Sequence, residues 1–147
     1  MQNDVVDMLI NDDFEDISNA FNIPDFVSKL LCIFYKNLNS MHHRNQILER
    51  LNTGFYKNDK EIKNMAKLYI SKMILNNPEN AKVFLIEKCN LLENDAQTYI
   101  NNYITANNYV RDLLSAELDV SNLNIQMDSL LDYLSDLFLA NNKNRSK

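Results

Sequence analysis

Apolar side chains recur along most of this chain at intervals of three and four, the spacing that gathers one face of an α-helix. Val5, Met8 and Leu9, then Phe14, Ile17 and Phe21, predict a first helix over about residues 4–21, with Asn11-Asp12-Asp13 as the step that could break it in two. Pro24 suits the first turn of a second helix, where its missing N–H is not needed. That helix, 24–38, carries Phe26, Val27, Leu30, Leu31, Cys32, Ile33, Phe34 and Tyr35, and is apolar almost all round. Such a helix is expected at the centre of the core, with a strand over 30–35 as the competing reading.

Ser40 caps a third helix, with Met41, Ile47, Leu48 and Leu51 recurring before Gly54, a natural C-terminal glycine. Asn58 or Asp59 caps a fourth, whose stripe is Ile62, Met65, Ala66, Tyr69, Ile70 and Met73. Pro78 and Glu79 open a fifth, where Ala81, Leu85, Cys89 and Leu92 can share a face; a strand over 83–86 is disfavoured by the flanking Lys and Glu. Asn94 or Asp95 then caps a long helix over about 96–118, with Ile100, Tyr103, Ile104, Val110, Leu114 and Leu118 inward. Asn107 falls on the same inward phase, which suggests a kink near Ala106. Ser121 begins the last helix, whose Leu123, Met127, Leu130, Leu134 and Leu137 alternate in steps of four and three as a heptad seam. The seam spans only about two heptads, short of the three to four that mark a free coiled coil. It is expected to serve chiefly as core, with the last two helices paired as an antiparallel hairpin, or else to pair with a second copy or with a foreign helix laid in a groove. From Asn141 the chain reads as a disordered polar tail.

Composition strengthens the helical reading. Glycine occurs once, at Gly54, and proline twice, at Pro24 and Pro78, where average usage would supply roughly ten and seven. Sheets need many turns, and turns consume both residues. With 147 residues, 46% of them hydrophobic, one domain suffices. The expected architecture is an all-α, compact single-domain bundle or array of about six to seven helices. Asparagine supplies about one residue in six, a bias that fits an AT-rich genome such as that of a low-GC bacterium or a virus and carries no chemistry. The acidic opening lacks the basic and apolar regions of a signal peptide, and the longest apolar run, 30–35, is far below the roughly 20 residues of a membrane span. A soluble cytoplasmic protein, with no membrane role, is expected.

Net charge is −5, unevenly spread. Asp4, Asp7, Asp12, Asp13, Glu15 and Asp16 crowd residues 1–22 with no basic side chain, whereas residues 29–73 carry nine Lys or Arg against three carboxylates. Lys60, Lys63 and Lys67, three and four apart, form one stripe beside Tyr56 and Lys57, a candidate surface for an acidic protein partner. Nucleic acid is a weaker match, since only four arginines occur and the sequence pI is about 4.9.

Candidate chemistry is sparse. One glycine rules out the phosphate-cradling loops, which need several, and no glycine follows Asn11-Asp12-Asp13 to make a calcium loop. His42 and His43 are adjacent and point about 100° apart on a helix, and no glutamate stands three before either, so neither a metal site nor a cofactor is expected. Cys32 and Cys89 lack metal or redox spacing and read as buried thiols. The carboxylate pairs Asp12/Asp16 and Asp128/Asp132 read as solvated faces. The function expected by exclusion is a non-catalytic helical protein–protein interaction module, such as an adaptor, inhibitor, immunity or regulatory protein. The alternatives are a nucleic-acid-associated regulator using residues 57–72, and a cryptic enzyme built on one cysteine and a histidine.

Overall fold

The computed structural model describes the backbone of residues 2–145 and the side chains of residues 4–141. Among the described residues all regular structure is helical: α1 (Gln2–Ile10), α2 (Phe14–Phe21), α3 (Asp25–Asn37), α4 (Met41–Thr53), a 3-10 turn (Phe55–Lys57), α5 (Asp59–Asn76), α6 (Pro78–Lys88), α7 (Glu93–Ser115) and α8 (Ser121–Arg145). There are thus eight α-helices, not six to seven, because residues 4–21 form two. Asp12 adopts the left-handed conformation, φ 58°, and the Asp13 N–H donates to the Met8 carbonyl at 2.9 Å, which ends α1. The apolar runs 30–35 and 83–86 both lie inside helices.

With a single glycine in the chain, other residues must turn the helix ends. Asp12, Asn22, Asn90 and Glu117 all have positive φ, between 55° and 63°, alongside Gly54 at 77°. Asn and Asp tolerate this region because their short polar side chains bond locally, whereas most residues lose roughly 1–2 kcal/mol there. At the end of α7 the Leu118 N–H donates to Leu113 O at 2.9 Å and the Glu117 N–H to Leu114 O at 3.0 Å. This is the paired closure in which glycine usually occupies the left-handed position; here it is a glutamate.

Residue contacts group the chain into two units, 1–65 and 66–147, whose boundary falls within α5. In the first, α1, α2 and α3 pack on one another around Leu9, Ile17, Val27, Leu30 and Leu31, and α4 lies against α3 with Ile47, Leu48 and Leu51 buried. The hydroxyls of Ser18 and Ser28 satisfy each other at 2.7 Å within this core. α3 is its most buried element, although Ile33 faces solvent. The acidic opening segment meets basic α3 through an Asp12–Lys36 ion pair, and the Lys29 ammonium stands 5.8 Å from the Phe14 ring centre.

In the second unit α6 packs against both α7 and α8, which also pack on each other. Ala66, Ile70 and Ile74 of α5, Ala81 and Leu85 of α6, Ile100 and Tyr103 of α7, and Leu131, Leu134 and Phe138 of α8 are buried. Tyr69, Phe84 and Phe138 form an aromatic trio with ring centres 4.9–6.3 Å apart. The Ser71 and Tyr103 hydroxyls bond at 2.6 Å, and the Asn141 amide donates to the Lys88 carbonyl at 2.8 Å. Asn141, expected to open a disordered tail, therefore lies within α8; Ser146 and Lys147 lie outside the described residues.

Two sequence expectations fail in this unit. Leu92 does not join the face of Ala81 and Leu85, because α6 ends at Lys88, Asn90 turns left-handed, and Leu92 is left exposed at the start of α7. Leu114 and Leu118, expected inward, are 56% and 54% exposed. Their α7 stripe is buried only from Ala96 to Tyr103, where neighbouring helices cover it. α7 continues as one helix through Asn107, which is half-buried where the stripe emerges.

Leu134→Ala, at a fully buried position, should destabilise the fold by roughly 2–5 kcal/mol, whereas Leu114→Ala should stay within about 0.5 kcal/mol, both by chemical denaturation. Glu117→Gly should raise stability by roughly 0.5–1 kcal/mol, the relief of left-handed strain less the entropy glycine loses on folding; a loss of stability would show that the turn carries no such strain.

Candidate functional site

Helices α7 and α8 form a hairpin joined by residues 116–120, and their facing residues show that they run antiparallel. Tyr99 meets Tyr133 with ring centres 5.9 Å apart, and further along Tyr103, Ala106 and Tyr109 lie across from Leu123, Met127 and Leu130. At 23 and 25 residues the two helices are about 34 and 37 Å long, whereas α6, with 11 residues, reaches about 16 Å. α6, together with α5, which meets Tyr103 through Ser71 and Phe138 through Tyr69, covers only part of the hairpin, and burial records which part. Buried residues end at Tyr103 on α7 and begin at Leu131 on α8.

Beyond that line the hairpin keeps its apolar residues but not its cover. A surface groove of about 460 Å³ runs between the two helices, lined by Tyr103, Ala106, Tyr109, Leu123, Met127 and Leu130 together with Asn102, Thr105 and Gln126. Tyr109 is exposed and Leu123, Met127 and Leu130 are half-buried, while Leu118 and Ile125 stand exposed near the tip. The heptad seam is thus divided. Leu134 is core, Leu137 is half-buried, and Leu123, Met127 and Leu130 line the groove.

The lysine stripe is placed differently from what its spacing suggests. Tyr56 is buried in the 3-10 turn with its ring edge-on to Phe55, and burial raises its pKa against the opposing pull of Arg50. Lys67 bonds Asp128 of α8 at 2.7 Å, with Asp132 at 3.9 Å, so those carboxylates form an intramolecular clasp. Lys63 is half-buried and itself engaged, which leaves Lys57 and Lys60 as the exposed cations of the five-residue candidate surface.

Charge along the hairpin is one-sided, a signal in plain view that a tally of residues 93–141 would have found. Eight carboxylates stand there against one basic side chain, Arg111, with Lys143 and Arg145 following only at the end of α8 away from the tip. In the turn, Asp119 accepts from both the backbone N–H and the hydroxyl of Ser121, at 3.0 and 2.6 Å, and these bonds hold its carboxyl below the usual range.

Other candidate chemistry is dispersed. His42 and His43 are exposed on α4 with rings 5.5 Å apart. Burial pushes the Cys32 thiol up to about 11, with Asp12 adding to the rise, and pushes the Cys89 thiol up to about 12. The nucleophile would be the thiolate, so neither site favours it. Among the described residues no group of three or more His, Cys, Asp or Glu is placed to hold a metal ion, and no helix is long and apolar enough to cross a membrane. No family model, curated protein or solved structure matches the chain.

Iodoacetamide at neutral pH should leave both thiols unlabelled in the folded chain and label both in denaturant. Because folding holds these thiols protonated, their contribution to stability is fully present below about pH 9 and is lost as pH rises toward the folded values of about 11 and 12. Denaturation midpoints should therefore fall across that range, and fall less in a Cys89→Ala variant.

Proposed function

We propose that this chain is a non-catalytic helical interaction module that binds another protein through the uncovered half of the α7–α8 hairpin. The observation that carries the reading is the groove between Tyr103, Ala106 and Tyr109 on one helix and Leu123, Met127 and Leu130 on the other. These residues extend the hairpin beyond its buried base. Tyr109, which lines it, is more than half exposed, and Leu114, Leu118 and Ile125 are likewise exposed elsewhere on this half of the hairpin, the kind of apolar exposure that marks interaction surfaces. The stripe at residues 57–67 supports a partner surface less well, since Tyr56 is buried and Lys67 is clasped by Asp128.

Capture of partners by the intact chain should be reduced by at least about tenfold in a Tyr109→Glu/Met127→Glu variant, as expected when an interface centre is charged, with its circular dichroism and melting temperature retained. An unchanged set of captured proteins would remove the hairpin from consideration. Recovery of nucleic acid alone, lost steeply as salt rises, would overturn the protein-binding reading in favour of residues 57–72.

A further inference from the structure

Resting on that reading, we infer that the occupant of the α7–α8 groove is a cationic amphipathic helix, its apolar stripe seated between Tyr109 and Met127 and its basic side chains over the carboxylates of the hairpin tip. Three observations point to this chemistry. First, the base of the same hairpin already packs a third helix: α6 lies against both α7 and α8. The groove lies on a neighbouring flank of the hairpin, since Asn102, Thr105 and Tyr109 fall off the Ala96–Ile100–Tyr103 stripe that the core covers, and a helix laid between α7 and α8 there would pack its ridges in the same manner.

Second, in the ion pairs that join Lys82 and Lys67 to the hairpin, the neighbouring helix supplies the lysine. Lys82 of α6 bonds Glu93 of α7 at 3.1 Å, and Lys67 of α5 bonds Asp128 of α8 at 2.7 Å. Third, the charges around the groove have one sign. Asp112 lies one helical turn beyond Tyr109, and Glu117 and Asp119 follow in the turn, all three exposed. Arg111 lies instead in the hollow with Asn107, Val110 and Leu114, where it donates to the Asn108 side chain. A second copy whose tip lay on the first would bring together two sets of Asp112, Glu117 and Asp119, a juxtaposition that like-charge repulsion opposes.

The test uses the full chain and three fluorescent 18-residue helical peptides with one shared leucine stripe, their polar positions filled with Lys, Gln or Glu. Anisotropy should show the Lys peptide binding at least about tenfold more tightly than the Glu peptide, with the difference shrinking as salt screens it. Asp112→Asn/Glu117→Gln/Asp119→Asn should erase the preference for Lys over Gln, whereas Asp4→Asn/Asp7→Asn/Glu15→Gln, in the other acidic region, should leave it intact. Equal binding of the three peptides, all lost in Tyr109→Glu/Met127→Glu, would overturn the cationic occupant and leave the hairpin as an interaction surface. Absence of peptide binding together with a concentration-dependent dimer that Tyr109→Glu/Met127→Glu abolishes would assign the groove to a second copy. Absence of both would overturn this inference and the reading beneath it.

Discussion

An eleven-residue helix packs against a hairpin whose arms are more than twice its length. That mismatch governs the second unit of the chain. A helical stripe leaves water only where another element lies over it, and the net gain is roughly 25 cal/mol per Å² of apolar surface. α6 delivers that gain along the base of α7 and α8, where Ala96, Ile100, Leu134 and Phe138 are sealed. Past Tyr103 and Leu131, toward the tip, no residue of the two helices is buried, although Lys67 of α5 still reaches Asp128. Their apolar residues there contribute less to stability and remain accessible to another molecule.

The helix ends obey a second constraint. Helices joined by short turns must reverse direction, and a left-handed residue does so at least cost when it is glycine. This chain distributes the task over Asp12, Asn22, Asn90 and Glu117 and keeps glycine for one site, Gly54. The abundance of asparagine thus acquires a partial structural role, since two of its copies hold such positions. Charge follows a related economy: Asp12 with Lys36, Lys67 with Asp128 and Lys82 with Glu93 each tie one helix to another. Pairs of this kind at exposed positions are worth about 0–1 kcal/mol each. They orient helices more than they hold them.

The helical class, most helix boundaries and the buried centre of α3 were legible in the sequence, because they follow from local properties: spacing of three and four, caps such as Ser40, and scarcity of glycine. The break at Asn11-Asp12-Asp13 was legible as an option but not as an outcome, since the choice between one bent helix and two rests on what Leu9 and Ile17 pack against. The divided heptad seam shows the limit most clearly. Leu123, Met127, Leu130, Leu134 and Leu137 share one periodic pattern, yet only Leu134 is core.

Periodicity says which side chains share a face and nothing about whether a neighbour covers it. By itself the sequence determined that this protein is a set of amphipathic helices with particular stripes, ends and charges. Tertiary structure alone decided that Tyr56 is buried, that Lys67 is clasped, and that the stripe of α7 emerges at Asn107. Burial is a property of pairs of elements, and the reach of α6 along the hairpin exists only once the helices are packed.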